Sequence, residues 1–317
     1  MNKQPVGDVA GKVILACPHG FCAGVERAVR IAECMLKGAR GPVYCLREIV
    51  HNRQVVRDLS SRGIIFVKDI NDVPEGAVVL FSAHGVAPEI RKTAGSHKLK
   101  IIDATCPFVN KVHSEVCRYA SEGYTILLVG HRNHDEIIGV AGEAPDSVVV
   151  IEDKTGAENV DVKDPTKVAV MTQTTLSVDE TRNIIDLLRK RFPQLKTPAG
   201  SDICYATQNR QLAVRSVAEK ADIFIVLGAQ NSSNSNRLVE VAGVAGCKAF
   251  LVSEIEQIHA VPLDQVRVVG LTAGASTPEY FVRDALACLA KLGFVHIEEC
   301  RVVDENVHFA MPAGMNA

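Results

Sequence analysis

The chain lacks a charge excess of either sign: 35 Lys and Arg stand against 37 Asp and Glu, a formal net charge of −2 over 317 residues. That removes the electrostatic case for nucleic acid or an anionic membrane surface as a partner. It also lacks any apolar run near the roughly 20 residues that span a bilayer. The opening stretch MNKQPVGDVAGKVILACPHG carries one lysine, then Asp8 and Gly11, before a short apolar run, which is unlike a secretory signal peptide. A cytoplasmic location is expected. Several ligand motifs are missing as well. No G-x-G-x-x-G follows a strand-like run, and neither G-x-x-x-x-G-K-[ST] nor G-x-S-x-G occurs, which weighs against a bound dinucleotide, nucleotide hydrolysis and a nucleophile elbow. C-x-x-C is absent despite ten cysteines, so the usual zinc-ribbon and thioredoxin signatures are excluded. In a reducing compartment disulfides are not expected.

Hydrophobic residues make up 47% of the sequence, ample for a buried core. Strand-length apolar runs recur at Val13–Ala16, Val78–Phe81, Thr125–Val129, Val168–Met171, Ile223–Leu227 and Val266–Leu271. Several are continuous rather than alternating, the pattern of strands buried on both faces. Helical periodicity marks Val25–Lys37, Thr181–Arg191 and Arg210–Ala221. Ser177 with Glu180 three residues on reads as a helix start, and Pro193 as its stop. The expectation is an α/β fold with mainly parallel sheets. Within the helical patterns, Cys34, Cys117 and Cys288 read as buried small hydrophobes.

The chain also repeats itself loosely. Cys22, Cys106 and Cys204 each fall at or just before a helical stretch, at intervals of 84 and 98 residues. After each cysteine, two strands run into polar ends. These are CLREIVHN with His51 and VVLFSAHG with His84, then ILLVGHRNHDE with His134 and Glu136 and VAVMTQTT with Thr174, and finally IFIVLGAQNSSN with Ser232, Ser233 and Asn234 and VVGLTAGAS with Ser276. Parallel α/β sheets bind ligands at the carboxyl ends of their strands.

Thiolates at helix N-termini are favoured by the helix dipole and form a soft metal site. Three cysteines suit zinc with one open position. They equally suit an iron–sulfur cluster with one iron left without a protein ligand, and spacing does not decide between the two. The polar ends read as a pocket for an anionic, hydroxylated ligand, with the run 231–236 offering hydroxyl, amide and backbone donors and His51, His84 and His134 protonatable ones. Glu136, near such a pocket, is a candidate proton donor. His131-x-x-His134 lacks a helical H-E-x-x-H context and is set aside as a metal pair.

Nine stretches then carry a resemblance: PHGFCAGVERAV (18–29), EIVHNRQVV (48–56), FSAHGV (81–86), DATCPFVNKVH (103–113), GHRNHDEIIG (130–139), MTQTTLSVDET (171–181), DICYATQNRQ (202–211), NSSNSNRL (231–238) and GLTAGASTP (270–278). In order and over essentially the whole chain, the sequence resembles the 4-hydroxy-3-methylbut-2-enyl diphosphate reductases. The resemblance implies three similar α/β lobes with small, mainly parallel sheets, pseudo-threefold around a central cluster. The corresponding spans are 23–106, 107–203 and 204–300 completed by 1–22, with 301–317 as a C-terminal tail. It implies one 4Fe-4S cluster held by Cys22, Cys106 and Cys204, and an oxidoreductase acting on a CH or CH2 group. Substrate contacts would come from His51, His84, His134, Thr174, Ser232, Ser233, Asn234 and Ser276. Glu136 would be the proton donor, acting with Thr174, and ferredoxin or flavodoxin would donate single electrons.

The implied reaction is reductive dehydroxylation of (E)-4-hydroxy-3-methylbut-2-enyl diphosphate to isopentenyl and dimethylallyl diphosphate, the last step of the non-mevalonate isoprenoid pathway. The sequence departs from the family at two places. His19 stands where Arg is common, and Asp135 where Pro is common, between His134 and Glu136. Asp135 bears on rate and pH optimum through its effect on the loop and on Glu136. The rival readings are a zinc-dependent hydrolase or lyase on the same cysteines, and an iron–sulfur regulatory or RNA-binding protein. The near-neutral charge weighs against the latter.

Overall fold

The computed structural model of the chain describes residues 10–38, 41–313 and 315. In chain order the elements are β1 (Gly11–Cys17), α1 (Ala23–Gly38), β2 (Val43–Leu46), α2 (Arg53–Ser61), β3 (Ile64–Val67) and β4 (Val78–Phe81). There follow α3 (Pro88–Ser96), β5 (Lys100–Asp103), α4 (Pro107–Ser121), β6 (Thr125–Val129), α5 (Asp135–Ala141), β7 (Val148–Ile151), α6 (Lys154–Asn159), β8 (Val168–Thr172) and α7 (Val178–Arg191). The last are α8 (Tyr205–Ala218), β9 (Ile223–Leu227), α9 (Ser233–Val244), β10 (Lys248–Val252), β11 (Val268–Ala273), α10 (Glu279–Lys291) and β12 (Phe294–Arg301). Among the described residues no helix is long and apolar enough to cross a membrane.

The chain divides into two compact units. One comprises the chain up to Cys22 with Gln208–Asn306. It holds a five-stranded sheet in the order β10-β9-β11-β1-β12, all parallel. Both faces of this sheet are covered, as the continuous apolar strands require. On one face Val13, Leu15 and Ile225 pack with Phe281 and Leu289 of α10. On the other, Ile14, Ala16 and Phe224 pack with Val214 and Val217 of α8 and Leu238 of α9.

The second unit is Ala23–Thr207 with the segment from Val307 on. It holds a four-stranded sheet, β3-β2-β4-β5, and a three-stranded sheet, β7-β6-β8, again all parallel. In β6, Leu127 and Val129 meet Ile184 and Leu188 of α7, while Ile126 and Leu128 meet Val112 and Val116 of α4. Around β4, Val79 and Phe81 pack with Leu46 and Ala94. The three small parallel sheets in a mixed α/β chain match the expected fold class. A boundary after residue 106 falls between β5 and α4, inside the second unit. Residues 1–9 of the expected segment 1–22, and 314, 316 and 317 of the expected tail, lie outside the described residues.

Local signals explain several element ends. Ser177 accepts from Glu180 N at 3.3 Å and opens α7, which stops at Phe192 before Pro193. The helix expected over 210–221 begins earlier, at Tyr205, and ends at Ala218. The strand expected from Val266 begins at Val268, because Val266 N donates back to Leu263 O in a turn.

Candidate functional site

Each of the six expected polar ends follows the carboxyl end of a strand, and in each sheet the two strands involved are neighbours: β2 and β4, β6 and β8, β9 and β11. The three cysteines share one local frame. Cys22 directly precedes α1, Cys106 is the N-cap residue of α4, and Cys204 directly precedes α8. The backbone N–H of Cys22 donates to Ala275 O (3.1 Å), that of Cys106 to Ala83 O (3.0 Å) and that of Cys204 to Thr174 O (3.0 Å). Each cysteine is thereby stitched to the loop that carries Ser276, His84 or Thr174. Gly20 N to Ala273 O and Ala104 N to Phe81 O, both 3.1 Å, add a second rung two residues upstream in two of the cases.

All ten cysteines are thiols rather than disulfides. Burial pushes Cys17 up to about 11 and also raises Cys45, Cys247 and Cys288, which makes them poor metal ligands. Cys22, Cys106 and Cys204 are half-buried at helix starts, where the chemistry of each thiol fits a thiophilic metal or cluster. Cys288 is buried as expected, but Cys34 is half-buried. Cys117 is exposed, and its thiol donates to Glu143 Oε2 at 3.4 Å.

In the larger unit, His51, His84 and His134 form one cluster. The His51 and His84 rings stack at 4.0 Å and 17°, and His134 meets them edge-on at 5.1 and 5.6 Å. Asn52 Oδ1 caps α2 by accepting from Val55 N, which fixes the turn carrying His51. His84 is followed by Gly85, whose φ of +77° and closeness to His113 Nε2 (2.8 Å from where a Cβ would stand) exclude a side chain. His134 Nδ1 accepts from Glu136 N at 3.2 Å, so a neutral His134 carries its proton on Nε2. Burial holds His134 down at about 3, with His51 and His131 adding to the effect. His84 is held well below the usual imidazole range by burial, then by His51, His134 and Arg47.

Glu136 lies on α5 and is only 2% exposed. Thr174 holds both of its oxygens, N to Oε1 at 2.7 Å and Oγ1 to Oε2 at 2.9 Å. Burial pushes its carboxyl up to about 7, against the pull of the two Thr174 hydrogen bonds. A carboxyl poised there is protonated in useful amounts at neutral pH, as general acid catalysis requires.

In the other unit, Ser232 is the N-cap of α9 and its Oγ accepts from Ser235 N at 3.3 Å. Ser232, Ser233, Asn234 and Ser276 are all buried. The loop carrying Ser276 is tied to the end of β9, with Gly274 N and Thr277 Oγ1 donating to Leu227 O at 2.8 and 3.0 Å. Asn234 is 4% exposed, and among the described residues neither its Oδ1 nor its Nδ2 has a hydrogen-bond partner. A buried amide calls for one, and a helix N-terminus bearing hydroxyls and an amide suits an oxygen-rich anion.

Of the two departures from the family pattern, Asp135 has a hydrogen-bonded ion partner, whereas His19 Nδ1 makes no hydrogen bond among the described residues. Asp135 Oδ1 accepts from Arg47 Nη1 at 2.6 Å, and its Oδ2 stands 4.0 Å from His51 Nε2. His19 Nδ1 lies 3.8 Å from Glu279 Oε2, and burial lowers its basicity. Ligand atoms of His51, His84 and Asp135 lie within 4.8 Å of one another. Imidazole lone pairs lie in the ring plane, however, and two nearly parallel stacked rings do not aim theirs at one ion. The cluster suits an anion better. Sequence reading missed Arg47, which pairs 88 residues away. It also missed Gln173, whose Oε1 accepts from His131 N at 3.0 Å and braces the loop before His134.

Comparison with known proteins adds relatives to this geometry. A family model described as LytB protein matches residues 13–290. The 4-hydroxy-3-methylbut-2-enyl diphosphate reductase of Acidothermus cellulolyticus is 52% identical over 302 residues, covering 95% of this chain and 89% of that protein. Among solved structures, E-1-hydroxy-2-methyl-but-2-enyl-4-diphosphate reductase from Plasmodium falciparum superposes with a TM-score of 0.93 at 37% identity, covering 97% of each chain. A second, (E)-4-hydroxy-3-methyl-but-2-enyl diphosphate reductase, described as the terminal enzyme of the non-mevalonate pathway, has a TM-score of 0.62 at 32% identity, covering 89% of this chain and 99% of that one.

Proposed function

The chain belongs to the LytB protein family, and we propose how its own residues carry out that family's reduction. The activity is reductive dehydroxylation of (E)-4-hydroxy-3-methylbut-2-enyl diphosphate to isopentenyl and dimethylallyl diphosphate. Two electrons and two protons are consumed and one water is released. Cys22, Cys106 and Cys204 would hold one 4Fe-4S cluster. The observation that carries this reading is the frame the three cysteines share: a helix start with the backbone N–H tied to a polar strand end. When bound, such a cluster supplies single electrons and one open, Lewis-acidic iron.

The protein's part is binding, orientation and proton delivery. Ser232, Ser233, Asn234 and Ser276 offer hydroxyl and amide groups to the diphosphate, and His51, His84 and His134 offer N–H donors. Glu136, protonated through burial, gives its proton by way of the Thr174 hydroxyl to the departing oxygen, which leaves as water. Proton addition at either end of the allylic fragment then yields the two isomers. Buried surroundings keep bulk water from competing. The reaction takes place in the cytoplasm with a one-electron donor such as ferredoxin or flavodoxin.

The test is anaerobic turnover of the allylic diphosphate with a reduced one-electron dye. Substrate-dependent dye oxidation with formation of both isomers is expected. Release of inorganic diphosphate without dye oxidation would favour the zinc hydrolase reading instead.

A further inference from the structure

Among the described residues Arg210 of α8 is the largest side chain buried to completion, and it points at the segment that ends in Cys22. Its Nη2 donates to Gly20 O at 2.8 Å and to Phe21 O at 3.5 Å, and its Nε donates to Gly20 O at 3.3 Å. The other arm of the fork, Nη1, meets both carboxylate oxygens of Glu305 at 3.1 and 3.3 Å. Asn209 Nδ2 also donates to Glu305 Oε1 at 3.0 Å. Glu305 follows β12, in the C-terminal segment beyond the last strand.

A buried ion pair is a poor way to stabilise a core, since well-packed apolar residues do as well or better. What this one supplies is directional. A guanidinium presents a rigid planar fork of donors, and here the fork takes the carbonyls of the two residues immediately before Cys22. The N–H edge of the same segment is tied at Gly20 to Ala273 O and at Cys22 to Ala275 O. Gly20 itself sits at φ +67°, and a Cβ there would stand 3.2 Å from Thr277 O. The approach to Cys22 is thus fastened along both edges, by the end of β11 on one side and by Arg210 on the other. Arg210 in turn is neutralised by Glu305.

We propose that Arg210 and Glu305 are positioning residues for the Cys22 thiolate, so that the C-terminal segment forms part of the cofactor site. This rests on the reading of Cys22 as a cluster ligand. Neither residue touches the reacting atoms. They set how firmly one of the three ligands is presented.

The test uses the full chain, reconstituted anaerobically, as wild type, Glu305→Ala, Glu305→Asp and Arg210→Lys. Three quantities are read: iron and sulfide per chain, the rate of iron transfer to a chelator, and the thermal unfolding midpoint of the apoprotein. Loss of an outer-shell partner typically costs about 10- to 100-fold in metal affinity. Iron transfer is therefore expected to be about tenfold or more faster in Glu305→Ala and Arg210→Lys, with Glu305→Asp recovering much of the wild-type rate. The apoprotein midpoint of Glu305→Ala is expected to fall, because the change leaves the buried guanidinium without its carboxylate, whereas Glu305→Asp keeps the charge and stays nearer wild type. Iron transfer is therefore read on folded protein, well below either midpoint. Should Arg210→Lys fail to fold, Glu305→Ala alone decides. Wild-type iron transfer in Glu305→Ala, or a drop in its apoprotein midpoint with no change in iron transfer, would overturn the proposal while leaving the cluster assignment standing. A wild-type protein that binds no iron and sulfide at all would overturn the cluster assignment itself.

Discussion

Thr174 grips Glu136 at both carboxylate oxygens, through its backbone N–H at 2.7 Å and its hydroxyl at 2.9 Å, in a place where Glu136 is almost wholly buried. Burial outweighs the two hydrogen bonds and leaves the carboxyl at about 7. Glu136→Gln keeps the shape and both contacts but has no proton to give. The variant is expected to fold, to retain iron and sulfide, and to lose about 10²- to 10⁴-fold in kcat. Single-turnover measurements with pre-reduced protein check this, and wild-type turnover in the variant would refute the acid role.

The same residue predicts a pH signature. An acid with a value of about 7 gives a kcat that falls as pH rises through that value. Stability follows the same sign. The folded value, about 7, lies above the ordinary 4.5, so between the two the folded chain holds a proton that the unfolded chain has released. That stabilisation is present in full below about 4.5 and is lost as pH rises through about 7. Glu136→Gln lacks this dependence. The apoprotein stability difference, wild type minus Glu136→Gln, should therefore decline between about pH 5 and pH 8 in denaturant titrations.

The buried imidazoles predict proton uptake on binding. His84 and His134 are held low mainly by burial, and a diphosphate beside them favours their charged forms. Titration of the protein with inorganic diphosphate near neutral pH, in two buffers of different ionisation enthalpy, should reveal net uptake of protons. His84→Asn should reduce that uptake and raise KM by about 10- to 100-fold, the worth of a hydrogen bond to a charged group.

Asp135 places a carboxylate beside the histidines and balances it with Arg47 at 2.6 Å. Asp135→Asn removes the negative charge and leaves the guanidinium. Anion affinity should improve by about fivefold at low ionic strength, and the gain should shrink as salt screens it. KM measured against salt concentration checks both parts. A KM that rises in Asp135→Asn would mean that the pair's role in holding the β2–α2 turn outweighs its charge.

Gly274 is packed so closely against Ser235 that a Cβ there would collide with its hydroxyl, and would stand 3.4 Å from Asn234 Nδ2. Gly274→Ala is expected to cost about 1–3 kcal/mol in stability, as overpacking does. It should also raise KM by displacing Asn234, while kcat at saturation changes less. Denaturant midpoints and steady-state kinetics measure the two effects.

Much of this was legible in the sequence because the central strands are continuous apolar runs. Thr125–Val129 and Ile223–Leu227 have in the structure the bounds read from the sequence. The polar residues at their carboxyl ends broke that pattern abruptly enough to be seen. The apolar period of α8 shows only from Arg210, since Tyr205, Thr207 and Gln208 carry none, and its start directly after Cys204 was legible only through the cysteine repeat. Strand β12 was missed for a different reason. Among the described residues it pairs with β1 alone, and Val295 and Ile297 are more than half exposed, so its pattern carries no core signal. The pairs Arg47–Asp135 and Arg210–Glu305 join residues 88 and 95 positions apart, a relationship that only the folded chain creates.

The cluster assignment is the claim on which the rest depends. Its most direct test is iron and sulfide quantitation, with Mössbauer spectra, on anaerobically reconstituted wild type and on the single variants Cys22→Ala, Cys106→Ala, Cys204→Ala and Cys247→Ala. The expected result is a 4Fe-4S complement in wild type and Cys247→Ala, with the cluster lost or degraded in each of the other three. Zinc in place of iron in wild type, or an intact cluster in any one of those three alanine variants, would contradict it.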